Sequence, residues 1–280
     1  MNLPEDVVKK LKDVNVASAH DFLNCSVSTL VQRCGLNCDQ VMKMKRNVFK
    51  ETFEALKLRP ETIFESDLAF GSLKGNHLYE FYGGPGTGKT QLCLYLAARI
   101  SHVEPNGKVL YLDTKNDLSI GRLKAFAQSE EQSFGNVLVS KVFDIHQAIQ
   151  LTQKLCEENQ ESPSISILIL DNITSLILPI VDEDEVTDIF SHIGELIGNL
   201  KEISSRQNCP VIMTNNAIKN GTCPALGKFL ENAADVQFSI QHDQEEVGSR
   251  LLKLCYGPYQ FLQEPFLQFT ISKTNIQVKK

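Results

Sequence analysis

Ten residues constrain this chain more than any other stretch: Phe81-Tyr82-Gly83-Gly84-Pro85-Gly86-Thr87-Gly88-Lys89-Thr90. They fit G-x-x-x-x-G-K-[ST], a phosphate-binding loop, which needs a strand before it and a helix after it. The glycines let the backbone turn tightly, so that its N–H groups converge on an anion. Lys89 adds a positive charge aimed at the β- and γ-phosphates, and Thr90 offers a hydroxyl to Mg²⁺. The sequence predicts a strand over 77–81 and a helix over 89–101. That helix would turn its positive dipole end toward the same phosphates. A glycine-rich turn without a ligand is the plain alternative, and the complete motif with both flanks argues against it.

With 280 residues, the chain can hold one large α/β domain and a small module. No apolar run is long enough to span a bilayer, and the first residues lack a basic-then-apolar signal pattern. The expectation is a soluble intracellular protein. Eight cysteines, most inside apolar runs, read as buried reduced thiols. The Cys34–Cys38 pair has no second tight pair or histidines to complete a zinc site. The net charge of −6 does not suit a general polyanion binder. It is uneven, with nine Lys/Arg against seven Asp/Glu in the first 57 residues.

Residues 1–57 read as a helical N-terminal domain, resembling small helix-hairpin-helix modules, for partner or single-stranded DNA contact. Pro4 can open a helix, Gly35 stops one, and Val41, Met44, Val48 and Phe53 mark a last amphipathic helix. Its basic side (Lys43, Lys45, Arg46, Lys50) reads first as a solvated face and second as a phosphate-contact face. Residues 58–71 form a linker. Within it, Ile63-Phe64 would either dock as an edge strand on a neighbouring subunit or pack on their own domain. Residues 72–280 alternate strand and helix as an ATP-binding core, a phosphate-loop α/β fold with a mostly parallel sheet covered by helices. Strands are predicted at 108–113, 166–171, 211–215, 234–240, 250–255 and 267–272. Helices are predicted at 117–128, after the cap Asp144, and at 186–206. Asp171, ending the apolar run Ile167-Leu168-Ile169-Leu170, would hold Mg²⁺ or its water near Thr90; a helix cap is the alternative.

The order of loop, Asp113 strand, Asp171 strand and Thr214-Asn215-Asn216 strand end resembles the RecA family. Three segments resemble more narrowly the D-type paralogues of the eukaryotic recombinase. They are Gly83 to Gln91, Val142-Phe143-Asp144-Ile145, and Lys219 to Phe229 with Pro224-Ala225-Leu226-Gly227-Lys228. The resemblance implies ATP and Mg²⁺ as cofactors. It also implies nucleotide contacts at Gly83, Gly84, Pro85, Gly86, Thr87, Gly88, Lys89, Thr90, Gln91 and Asn216, with Thr90 and Asp171 on the metal side. It implies a nuclear repair factor for double-strand breaks and stalled forks, which helps the recombinase load on single-stranded DNA. Its partners would be paralogues of types B and C and the X-ray-repair paralogue.

Three departures qualify that picture. Lys115 stands where the family has a catalytic glutamate, and a charged lysine cannot take a proton from water. Turnover should therefore be slow unless a neighbour completes the site, general-base terms being worth about 10²–10⁴-fold. The acids Asp182-Glu183-Asp184-Glu185 lie where the first DNA-facing loop is expected, and they repel phosphates. The segment 69–76 is shorter than the family's hairpin. The second DNA loop, Lys219 to Lys228, allows one or two phosphate contacts. Arg122 reads as a surface ion pair rather than an adenine contact. An active DNA-dependent ATPase is the alternative function. A small-molecule kinase comes third, lacking an Arg/Lys-rich lid after Asp171.

Overall fold

The computed structural model describes residues 73–129, 131–157, 164–181, 186–218, 223–230, 232–257 and 266–279, with Leu30, Val31, Gly35, Asn37, Gln40, Val41 and Met44. The chain divides into two compact units, Met1–Glu61 and Thr62–Lys280. In the first, Gly35 adopts φ 66° and donates its N–H to Val31 O, the left-handed stop that glycine supplies. Asn37 Oδ1 accepts from Gln40 N at 2.8 Å while Asn37 N donates to Gln40 Oε1 at 3.0 Å, a reciprocal capping box. The edge-strand candidate Ile63-Phe64 and residues 69–72 of segment 69–76 lie outside the described residues.

The second unit is built on one mixed sheet. Its strands are β1 (His77–Gly83), β2 (Lys108–Asp113), β3 (Val137–Lys141), β4 (Ile165–Asp171), β5 (Pro210–Ile218), β6 (Cys223–Pro224), β7 (Val236–His242), β8 (Ser249–Tyr256), β9 (Phe266–Ile271) and β10 (Ile276–Lys279). The order is β10-β9-β8-β7-β1-β5-β4-β2-β3, with the short β6 paired to β5. From β3 to β7 the pairs are parallel; β7 to β10 run antiparallel. The helices are α1 (Lys89–Val103), α2 (Ile120–Ala125), α3 (Ile145–Glu157), α4 (Ile173–Val181) and α5 (Val186–Gln207).

Alternation along the central strands explains their unbroken apolar runs. Tyr79, Val109, Tyr111, Ile167 and Ile169 pack in one core with Leu92, Leu96 and Ile100 of α1. Leu78, Leu110, Leu112, Leu168 and Leu170 pack in the other with Ile149 of α3, Ile177 of α4 and Leu196 of α5. A parallel strand covered on both faces has no polar side to show. All seven residues of β4 are buried accordingly.

The predicted strands and long helices are present with boundaries moved by a few residues. The helix expected over 117–128 is only α2, because residues up to Leu118 are tied to the Asp113 side chain. Ser119 caps it, accepting from Arg122 N at 3.2 Å. Directly after Asp171 stands a helix, α4, for which the sequence reading made no prediction; Asn172 Oδ1 caps it through Ser175 N (3.0 Å) and Ser175 Oγ (2.7 Å). The acid run Asp182–Glu185 lies outside the described residues. Of the cysteines, 93, 156 and 209 are buried free thiols, Cys223 is half-buried, and Cys255, expected within an apolar strand, is exposed on β8. Among the described residues no helix is long and apolar enough to cross a membrane.

A buried polar network holds β1, β5, α4 and the 223–230 segment together. Asn215, fully buried, donates to Glu80 Oε1 (2.7 Å) and Ala225 O (2.8 Å), and accepts from Thr174 Oγ1 (2.6 Å). Gln237 Nε2 supplies the other Glu80 oxygen at 2.8 Å. Burial raises the Glu80 pKa, and these two amide hydrogen bonds oppose the rise. Removing one member strands the rest, which costs about 1–3 kcal/mol for each buried group left unpaired. Asn215→Ala is therefore expected to lower the urea midpoint by an amount equivalent to about 2–4 kcal/mol, with the m-value unchanged.

Candidate nucleotide site

Gly83 ends β1 between two neighbours, opposite Asn216 of β5 and Ile240 of β7. A Cβ there would lie 2.3 Å from Ile240 O and 2.8 Å from Thr87 Oγ1, so only glycine fits. Gly86 and Gly88 then adopt φ 74° and 101°, the left-handed region that other residues avoid. Thr87 ties the turn to itself, its Oγ1 donating to Gly84 O at 2.9 Å. Gly88 caps α1 with no side-chain hydrogen bond, and no acid stands in the first turn. The N-terminal N–H groups and the positive end of the dipole are thus left to an anion.

Lys89 is buried, and its Nζ donates to Gly83 O (2.7 Å) and Gly84 O (3.0 Å), which holds the ammonium over the loop. Burial lowers its pKa most, the Lys115 ammonium adds to the depression, and Asp171 opposes both. Asp171 is buried at the end of β4. Its Oδ1 accepts from Thr214 Oγ1 at 2.5 Å and its Oδ2 from Tyr111 Oη at 2.8 Å. Burial first, and then Asp171, push the Tyr111 pKa well up, so the phenol keeps the proton it donates. The carboxylate is fixed in orientation, with lone pairs left for a metal-bound water.

Between β2 and α2 the backbone is clamped to that acid. Thr114 N donates to Asp171 O at 2.9 Å; Thr114 Oγ1 donates to Asn172 O at 2.9 Å and accepts from Asn172 N at 2.7 Å. The Asp113 carboxylate accepts from the N–H groups of Lys115 (3.2 Å), Asp117 (3.4 Å) and Leu118 (3.1 Å). Asn116 turns the chain with φ 57°. The Asp117 carboxyl is raised by burial, Asp171 and Asp113, with Lys115 opposing. Asn216, half-buried, accepts from Asn172 Nδ2 at 3.0 Å.

Gln91 on α1 accepts from Arg122 Nε. Arg122 also donates to Lys273 O and, at 2.7 Å, to Ser272 O, and its guanidinium lies 4.1 Å from the Phe126 ring centroid. The surface ion pair expected of Arg122 is thus replaced by a junction between α1, α2 and the β9–β10 turn. Sequence reasoning missed Arg250. A Cβ on Gly88 would meet Ile271 Cδ1 at 2.5 Å and Arg250 Nε at 3.2 Å, which places this guanidinium against the phosphate loop. Its Nε is buried without a hydrogen-bond partner among the described residues. The only signal was a lone arginine opening a strand. A cavity of about 420 Å³ lies apart from the loop, lined by Glu80, Gln237, Leu230 and Tyr256 among others.

The Rad51 family profile matches residues 62–245. This chain belongs to the Rad51 family. It is 25% identical to the mouse DNA repair protein RAD51 homolog 4 in a 259-position alignment that covers 81% of this chain and 78% of the mouse protein. It is also 29% identical to DNA repair and recombination protein RadB of Methanocaldococcus jannaschii over 170 residues, 59% of this chain and 78% of that protein. It is accordingly a Rad51-family protein of recombination and DNA repair. Rad51-family proteins bind ATP and generally need Mg²⁺. The residues present fit such a ligand: an amide-lined turn where a Cβ would clash, one buried ammonium, a hydroxyl on the first helical turn and one oriented carboxylate. Among the described residues no cluster of three or more His, Cys, Asp or Glu could hold a metal ion.

The clamp is testable without nucleotide. Asp113→Ala frees three amides, and their hydrogen exchange at Lys115, Asp117 and Leu118 is expected to accelerate while β4 amides stay protected. The accompanying loss of stability is about 1–3 kcal/mol.

Proposed function

We propose that this chain is the ATP-binding subunit of a recombinase-paralogue complex, of the D type. In this reading it assists homologous-recombination repair of double-strand breaks and stalled forks by promoting recombinase loading on single-stranded DNA. The observation that carries it is the cradle: Gly83 to Gln91 with Lys89, Thr90, Asp171 and Asn216 all at one end of the sheet. Mg²⁺-ATP would lie with its phosphates on the loop and first turn of α1, Thr90 and Asp171 on its metal side, and Asn216 facing the terminal phosphate. Similarity to RAD51 homolog 4 across most of the chain supports the paralogue assignment. The partners are then recombinase paralogues of types B and C and the X-ray-repair paralogue, and the location is the nucleus. The division into residues 1–57, the 58–71 linker and the 72–280 core belongs to the same proposal.

An assembly role also fits the sheet edge. Among the described residues β3 pairs only with β2, and Leu138, Val139 and Phe143 around it are exposed. An extended segment of a partner can add there as a further strand, with main-chain hydrogen bonds for affinity.

Purification of the full-length chain with candidate paralogues from the same organism tests this reading. Wild-type protein is expected to retain ATP and recover at least one of them. Lys89→Ala is expected to lose nucleotide and weaken recovery. Leu138→Glu is expected to weaken recovery and leave nucleotide binding intact. A chain that neither retains ATP nor recovers any Rad51-family protein would refute the proposal. Rapid turnover stimulated by single-stranded DNA would instead favour an active DNA-dependent ATPase.

A further inference from the structure

We propose that Lys115 selects the triphosphate. Its ammonium reads the terminal phosphate, and the site so built retains ATP rather than turning it over. The inference rests on the nucleotide reading above and adds to it a specificity-determining residue.

Placement is the first argument. Asp113 of β2 lies in register with Asp171 of β4. Two residues further on, the backbone of Lys115 is held by its own N–H to Asp113, directly after Thr114 has clamped Asp171 and Asn172. Its side chain is exposed. The loop Gly83 to Thr90 that would hold the phosphates lies at this same end of the sheet.

Charge is the second argument. Lys115, just past β2, and Lys89, opening α1 just past β1, bring two positive charges to the sheet end where Asp171 closes β4. Arg250 adds a third cation at the rim of the loop. A diphosphate can be held by the loop amides and Lys89. The extra negative charge of a triphosphate is what a second ammonium recognises.

The third argument concerns the proton that attacking water must give up. Asp171 accepts from Thr214 and Tyr111, and its remaining lone pairs belong to the metal side in the reading above. Asp113 is spoken for by three amides. Lys115 has no acceptor while charged. Asp117 alone remains on this loop, exposed and beside Lys115. The arrangement binds anions without presenting a placed base.

Dissociation constants for Mg²⁺-ATPγS and Mg²⁺-ADP, measured on the full-length chain, test the proposal. Lys115→Met is expected to weaken ATPγS about five- to tenfold and to leave ADP within about twofold, while Lys115→Arg keeps the wild-type ratio. Lys115 is exposed, so these variants should fold. Wild-type turnover is expected to be slow, and Asp117→Asn should not alter it. An unchanged ATPγS-to-ADP ratio in Lys115→Met overturns this proposal alone. So does fast wild-type turnover that Asp117→Asn abolishes. Failure of the wild-type chain to bind either nucleotide overturns the underlying nucleotide reading as well.

Discussion

One close approach sets the geometry on which the rest of this structure depends. β1 runs between β5 and β7, and at Gly83 the neighbouring carbonyl of Ile240 leaves no room for a side chain. The strand must stop and turn there. The turn needs left-handed backbone twice, at Gly86 and Gly88, before α1 can begin. A helix that starts this way presents bare N–H groups at the end of the sheet where β2, β4 and β5 also terminate. The phosphate cradle is therefore a consequence of how β1 is packed.

Around that turn the protein tolerates buried polarity that it could not otherwise hold. Each buried polar group costs free energy unless it is paired. Glu80, Asn215, Thr174 and Gln237 satisfy one another behind the loop, while Tyr111, Thr214, Thr114 and Asn172 orient Asp171 and its backbone beside it. Lys89 is the exception. It is buried, and backbone carbonyl oxygens of Gly83 and Gly84 hold its ammonium. A site with that imbalance gains most from a multiply charged anion, which matches the chemistry expected of a Rad51-family protein.

Much of this was legible in the chain. The loop motif, the fully apolar β4 run ending in Asp171, and the helix after Asp144 each carry strong local signals, and they fall where expected. Residues 117 and 118 were misread as helix because a helix prediction counts apolar period and cannot see Asp113 capturing their amides. β3 was passed over because its exposed Val-Leu-Val run is short and stands at an edge. α4 was missed because the acid run beyond it drew attention to a loop. Arg250 could not be found, because contact across the sheet ends joins residues far apart in sequence. Arg122 looked like a surface charge, yet its partners are backbone carbonyls of the distant β9–β10 turn.

The function of this fold depends on whether the turn after β1 holds a nucleotide by its phosphates. An experimental structure of the full-length chain with a non-hydrolysable ATP analogue and Mg²⁺ addresses this directly. The predicted result is density for three phosphates along Gly83 to Thr90, with the metal between Thr90 and the Asp171 side. Ordered nucleotide elsewhere on the chain, with the loop bare at saturating ligand, would contradict it.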